Sequence, residues 1–204
     1  MNQKQVWDNI AQEWYKFKIK PAKHTLEFLK DKTGNILDLG SGAGRNLTKI
    51  KNGKIYLVDF SKEMIKFAKK RAEDKDINIE FKISNLTKIP YEDNFFDSAI
   101  CIASLHCIKG EKNREKVVKE LFRVLKPGAE AEIAVWDKNA KRFKNSPKEK
   151  YVKWRDKGAR YYYLFDEKEI YELFKKAGFK IKKKFNQERK FLIIFIVQKP
   201  ISSS

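Results

Sequence analysis

Short apolar runs alternate along this chain with stretches in which apolar side chains recur every three or four positions. The runs Asn35 to Leu39, Lys54 to Asp59, Ile77 to Ile83, Asp97 to Ala103 and Ala129 to Trp136 have the length and β-branched content of strands. DSAICIA (97–103) is apolar almost without a break, as expected of a strand buried on both faces of a parallel sheet. Between the runs, the helical period predicts helices from the glycine-rich stretch after Leu39 through about Lys51, over 61–71 with Ser61 as N-cap, and over 113–125, stopped by Pro127-Gly128. Two further helices, 6–15 and 22–30, precede the first strand. A helix over 166–177, capped by Asp166 and ended by Gly178, precedes a β-hairpin of Phe179 to Phe185 and Phe191 to Gln198. Strands alternating with helices predict an α/β fold with a doubly wound, mostly parallel sheet of seven strands, closed by a C-terminal antiparallel hairpin.

The regular texture breaks between Asp137 and Arg160, which are rich in basic residues and poor in aliphatic ones; an exposed insertion or loop with a short helix is expected there. One domain over 1–200 accounts for the pattern: N-terminal helices (1–33), a core (34–136), the basic insertion (137–165), and a closing helix and hairpin (166–200). The tail 202–204 is expected to fray.

Charge changes the picture. There are 46 Lys plus Arg against 27 Asp plus Glu, a formal net charge of +19, which points to a polyanionic partner such as nucleic acid or an anionic membrane surface. Lysine-rich composition also occurs in heat-adapted proteins without any such partner. The two cysteines, Cys101 and Cys107, have neither CxxC nor histidine-rich spacing, so no metal site or disulfide is expected, as suits a reducing cytoplasm. MNQKQVWDN lacks the apolar core of a signal peptide and no apolar run approaches the ~18 residues of a membrane span, so a soluble cytoplasmic protein with no membrane partner is expected.

The chemistry starts at ILDLGSGAGRN. Gly40, Gly42 and Gly44 follow a strand, where glycine lets the backbone turn sharply and approach a ligand, facing it with the N–H groups of a helix N-terminus. The third glycine is one place early for a dinucleotide fingerprint, and Asp38 would repel a pyrophosphate; it suits a ligand with a positive end. Asp59 ends the second strand, where a carboxylate can accept both ribose hydroxyls. A tight turn alone would also use these glycines, but it would not need Asp59, PYEDNFFD (90–97) or RVLKPG (123–128) in that order.

These segments resemble the class I S-adenosylmethionine-dependent methyltransferases, with their Rossmann-like sheet. The resemblance implies that Asp38, Gly40, Gly42 and Gly44 lie along the methionine part of S-adenosylmethionine and that Asp59 takes its ribose. It also implies that Phe60 packs on the adenine, with Asn85 and Leu86 beside the base and Asn85 reaching its amino group.

Three other segments, the N-terminal VWDNIAQEWYKFKIKPAKH, IASLHCI (102–108) and KGARYYYLFD (157–166), are similar to the tRNA wobble-uridine methyltransferases that esterify a carboxymethyl group on uridine. In that family Arg-x-Lys-Pro stands where Lys18-Ile19-Lys20-Pro21 is found. Arg-Tyr-Tyr-His-x-Phe stands where residues 160–165 have Tyr163 for the histidine, and two histidines stand where only His106 remains beside Cys107. The Val-Pro-Trp element is Val152-Lys153-Trp154. The resemblance implies an anticodon-loop tRNA substrate and a small zinc-binding activator subunit pairing with the 77–83 edge. It makes Arg160, Lys18 and Lys20 candidates for gripping a carboxylate or phosphate, Tyr161, Tyr162 and Trp154 candidates for stacking a base, and His106 an orienting group or base. A carboxylate acceptor is already ionised at neutral pH and needs alignment more than base catalysis. Trp7 and Trp14, seven apart on one helix face, are expected to pack in the core. Two other readings stay open: a small-molecule methyltransferase acting on a carboxylic acid, quinone or sterol, and a non-catalytic RNA-binding protein on the same fold.

Overall fold

A computed structural model describes residues 2–185 and 191–201; the expected fraying of 202–204 lies outside the described residues. Its helices are α1 (Gln3–Phe17), α2 (Lys23–Leu29), α3 (Lys62–Asp74), α4 (Glu111–Val124) and α5 (Glu167–Lys176). Its strands are β1 (Gly34–Leu39), β2 (Gly53–Asp59), β3 (Ile79–Ile83), β4 (Phe96–Ile102), β5 (Leu125–Trp136), β6 (Glu149–Lys153), β7 (Ala159–Tyr163), β8 (Lys180–Lys184) and β9 (Leu192–Gln198). Seven of them form one sheet in the order β3-β2-β1-β4-β5-β9-β8, parallel through β5 and antiparallel at β9 and β8. This is the expected architecture, and the order reverses between β1 and β4, where α/β sheets open a crevice at their carboxyl ends.

Alternation within each strand buries both faces. Leu37, Leu39, Ala131, Ile133 and Val135 meet Val117 and Leu121 of α4 and Ile170 and Phe174 of α5. Ile36, Leu57 and Ala134 meet Phe28 of α2 and Ile65 and Ala68 of α3 on the other side. Ser61 caps α3 through the Met64 N–H at 3.1 Å, and Asp166 and Glu169 form a reciprocal capping box on α5.

One expectation is corrected and another extended. The segment after the glycine loop folds as turns, not as a helix through Lys51. Residues 40–52 must bring the chain back along β1, six residues or roughly 20 Å at strand rise. The return is made by turns, the Gly44 N–H donating to the Ser41 carbonyl at 3.1 Å and the Leu47 N–H to the Gly44 carbonyl at 3.2 Å. The basic stretch 137–160 is irregular with a short helical turn, as expected, but it also contains a strand. After a single turn at Lys141–Phe143 it forms β6, paired antiparallel with β7 in a separate two-stranded sheet. Tyr161 is fully buried, and Leu164 and Phe165 follow it inside, so apolar surface at the end of KGARYYYLFD holds the hairpin down.

Helix α1 is fastened across α3. Asp8 Oδ1 accepts from Ser61 Oγ at 2.6 Å and from the Glu63 N–H at 3.2 Å. At its other end the guanidinium of Arg71 donates to the carbonyls of Tyr15 and Lys18 at 2.7 and 2.8 Å, satisfying acceptors that a helix C-terminus leaves open. Gln3 locks its start onto β7, donating to the Ala159 carbonyl at 3.0 Å and accepting the Tyr161 N–H at 2.8 Å. Trp154 donates to Glu13 at 2.6 Å. Helix α1 and the β6–β7 hairpin thus roof the carboxyl ends of β1, β2 and β4. Among the described residues no helix is long and apolar enough to cross a membrane.

Candidate active site

Under that roof lies a cavity of about 930 Å³. Its floor is the glycine loop. The Gly40 N–H donates to the Val58 carbonyl at 2.7 Å, and a Cβ at Gly40 would come within 2.4 Å of Ser104 Cβ. Gly42, at φ +52°, donates its N–H to Asp59 Oδ2 at 2.9 Å, while the Ser61 N–H donates to Oδ1 at 2.9 Å. These bonds hold the Asp59 carboxylate rigidly at the cavity wall, each oxygen keeping a second lone pair for a hydroxyl. Burial pushes its acid up to about 6, against the pull of the Ser61, Gly42 and Phe60 N–H groups and with Asp8 adding to the rise.

Gly40, Gly42, Asp59, Phe60, Asn85 and Leu86 all wall the cavity. Asn85 Oδ1 accepts from the Thr87 N–H and hydroxyl, which turns its amide nitrogen into the available donor. Two expected cofactor residues stand behind the wall. A Cβ at Gly44 would meet Leu47 at 2.7 Å and the Ala68 backbone at 3.1 Å, so this glycine serves the packing of the loop on α3. Asp38 is buried beneath the loop, and its Oδ2 has no hydrogen-bond partner among the described residues. Burial pushes it to about 7, with Arg45 pulling down and Asp59 pushing up. An orphaned buried carboxylate, a second carboxylate and a glycine floor suit a cationic ligand bearing a ribose. They do not suit a pyrophosphate.

The opposite wall is aromatic and cationic. Alternation along β7 sends Arg160 and Tyr162 toward the cavity and Tyr161 and Tyr163 away from it. Arg160, 6% exposed, is boxed by four rings: its Cζ lies 4.8 Å from Trp154, 5.3 Å from Trp14 and Tyr162, and 5.8 Å from Trp7. Trp7 and Trp14, expected in the core, are therefore also cavity walls. Lys18 stands beside them over Phe17 at 4.7 Å, its ammonium held below its usual range by burial and then by Arg45, Arg160 and Arg142.

One placement differs from expectation and two narrow it. Tyr161 is fully buried against Tyr151 and the main core, so it cannot stack a base in the cavity. Lys20 is exposed and outside the cavity wall. His106 is at the wall, but its Nδ1 accepts the Trp136 N–H at 3.0 Å and burial pushes its pKa to about 3. A neutral imidazole whose Nδ1 accepts carries its proton on Nε2, so His106 is a donor there and not a base. Sequence reasoning passed over Trp136 and Arg142. Trp136 stacks on Tyr162 at 4.1 Å, and only the β5–β7 contact, with its Phe165 N–H to Trp136 carbonyl bond at 3.0 Å, brings them together. Arg142 hides among the many basic residues of its segment.

Comparison with known proteins places this geometry. A methyltransferase domain family model matches residues 30–178. The ubiquinone/menaquinone biosynthesis C-methyltransferase of Hydrogenovibrio crunogenus is 30% identical over 125 residues, 57% of this chain and 48% of that protein. The tRNA (carboxymethyluridine(34)-5-O)-methyltransferase of Arabidopsis thaliana is 31% identical over 133 residues, 64% of this chain and 31% of that protein. The chain thus spans half or less of these curated relatives. An S-adenosylmethionine-dependent methyltransferase from Methanosarcina mazei superposes with a TM-score of 0.72 at 25% identity, covering 89% of this chain and 100% of that one. A Haloferax volcanii methyltransferase complex with the Trm112 activator matches at TM-score 0.72 and 17% identity, covering 98% and 99%, a likeness of fold. With the family model spanning most of the chain and an acidic, glycine-floored site matching the donor's charge, the chain belongs to the methyltransferase domain family, and its methyl donor is S-adenosylmethionine.

Proposed function

We propose that the protein methylates the carboxylate of a 5-carboxymethyluridine at the wobble position of tRNA. The observation that carries this reading is Arg160. A guanidinium almost wholly removed from water, with no carboxylate partner among the described residues, is costly unless a ligand supplies the anion. An acceptor carboxylate beside the methyl donor is such an anion, and a flat base suits the half-buried ring of Trp154, with Tyr162 backing the wall behind it.

The donor, when bound, supplies an electrophilic methyl on a sulfonium. The remaining work falls to the chain's residues and is mostly alignment. Asp59 fixes the ribose end, and Arg160 and Lys18 orient the carboxylate. His106 offers a hydrogen bond and takes no proton, as an acceptor already ionised requires. Exposed Lys153 and Arg155 on the hairpin and the +19 charge supply the phosphate-backbone attraction that tRNA binding uses.

A small zinc-binding activator is part of the proposal. Of the two sheet edges, β8 reads KIKKK, the lysine guarding that blocks strand pairing, whereas β3 reads IEFKI with Ile83 47% exposed. An added partner strand fits β3, and the Haloferax complex with its activator supports a partner for this fold. We place the reaction in the cytoplasm.

Similarity to the quinone C-methyltransferases favours a second reading, a small apolar acceptor. The test is transfer from labelled S-adenosylmethionine into bulk tRNA, with and without the activator, followed by nucleoside analysis. Label in an esterified carboxymethyluridine is expected. Label in a quinol or a small carboxylic acid, with none in tRNA under either condition, overturns the proposal.

A further inference from the structure

Arg142 sits in the turn at Lys141–Phe143, exposed at the cavity wall. Its Cζ lies 4.8 Å from the Phe191 ring, 4.9 Å from Phe143 and 5.7 Å from Trp136. Trp136 is stacked on Tyr162, and Tyr162 lies 5.3 Å from the guanidinium of Arg160. A two-ring stack therefore separates two guanidinium groups along one wall. Arg71, Arg114, Arg123 and Arg155 each reach carbonyl or carboxylate oxygens, but neither Arg142 nor Arg160 does among the described residues.

We infer that Arg142 is a second anion-binding pole, which holds a phosphodiester flanking the target base while Arg160 holds the carboxylate of that base. This rests on the tRNA reading. Aromatic platforms fix a guanidinium in place without neutralising it, leaving its N–H fork free for a bidentate oxyanion. The two poles also differ in depth, as one nucleotide requires. The group next to the methyl donor is enclosed with Arg160, whereas the phosphate of a base turned into a pocket stays at the mouth, where Arg142 is exposed. The Lys18 ammonium, held below its usual range by burial and then by Arg45, Arg160 and Arg142, lies in the field of both poles.

The site therefore recognises two separated negative groups on one acceptor, and calorimetry can read each alone. The probes are 5-carboxymethyluridine 3′-monophosphate, 5-carboxymethyluridine and uridine 3′-monophosphate, each titrated into protein loaded with S-adenosylhomocysteine. In the unaltered protein, removing either anion is expected to weaken binding about tenfold, the scale of one charge-assisted hydrogen bond. In Arg142→Ala the phosphate increment disappears and the carboxylate increment survives; Arg142→Lys keeps part of the phosphate increment. A phosphate increment that survives in Arg142→Ala, or is absent from the unaltered protein, overturns the inference. A phosphate increment lost in Arg142→Ala with no carboxylate increment in any protein keeps the anion pole and sinks the carboxymethyluridine reading instead.

Discussion

Nη1 of Arg160 donates a hydrogen bond of 2.6 Å to the Tyr162 hydroxyl, two residues along the same face of β7. Tyr162 in turn lies flat on Trp136, with the planes 17° apart. The phenol, pushed by burial to a pKa above its ordinary value, stays protonated and can donate while it accepts from the guanidinium. Removing the hydroxyl with Tyr162→Phe keeps the stack and frees the guanidinium. A hydrogen bond to a charged group contributes about 2 kcal/mol, so kcat/KM for the acceptor should fall roughly thirtyfold. Cofactor affinity, measured by calorimetry, should not change. A matching loss of cofactor affinity would place Arg160 at the wrong end of the cavity.

The two buried aspartates set a pH dependence whose sign is fixed. Burial raises Asp38 to about 7 and Asp59 to about 6, above their unfolded values near 3.8. Protonated carboxyls therefore favour the cofactor-free fold at low pH, and that stability is lost as pH rises through 6 and then 7. A cationic ligand favours the ionised forms, so S-adenosylmethionine affinity should climb between about pH 5.5 and 7.5 and then level off. Asp59→Asn should weaken binding and flatten the lower part of that rise. Affinity flat from pH 5.5 to 7.5 in the unaltered protein would show that neither carboxylate meets the cofactor's charge.

Arg71 joins the roof to the sheet. Buried, it stacks 4.5 Å from the Tyr15 ring and donates to carbonyls at the C-terminal end of α1. Arg71→Met keeps most of the apolar stem but leaves those carbonyls unpaired, costing about 2 kcal/mol. The midpoint of thermal unfolding should fall about 4–8 °C for a domain of this size. Bound S-adenosylmethionine should raise the midpoint of both proteins, because it binds only the folded state. An unchanged midpoint would mean that α1 is held by its apolar contacts alone.

The sheet was legible because each parallel strand carries its own signal: DSAICIA is apolar along its length, and ILDLGSGAG joins a strand to a glycine floor. The crossover at 45–51 carries helical spacing yet folds as turns, and apolar spacing alone does not separate the two. KGARYYYLFD shows the other limit. Its composition allowed a buried strand or an acceptor wall, and alternation makes it both, with Arg160 and Tyr162 on one face and Tyr161 and Tyr163 on the other. Which parity faces the cavity is fixed by the pairing of β7 with β6 and by Gln3, neither of which has a local signature. The acceptor wall was likewise only half visible. Arg160 stood in a recognisable segment, but Trp136 and Arg142 come from elsewhere in the chain and meet it only through the fold.

Tyr163 tests that parity most directly. It stands in place of a histidine in the resembled family, within the segment assigned to the acceptor side. Yet it points away from the cavity: its hydroxyl donates to Glu169 and its ring lies 3.7 Å from the Arg114 guanidinium. Tyr163→Phe keeps the ring and removes only the Glu169 bond, a loss of about 1 kcal/mol that lowers the unfolding midpoint by roughly 2–4 °C. Acceptor KM and kcat should stay within about twofold, because no atom of Tyr163 walls the cavity. Tyr162→Phe on the same strand should differ in kinetics, with kcat/KM for the acceptor impaired as argued above. If Tyr163→Phe instead raises acceptor KM tenfold while the midpoint stands, β7 presents its other face to the substrate, and Arg160 cannot be the residue that holds the carboxylate.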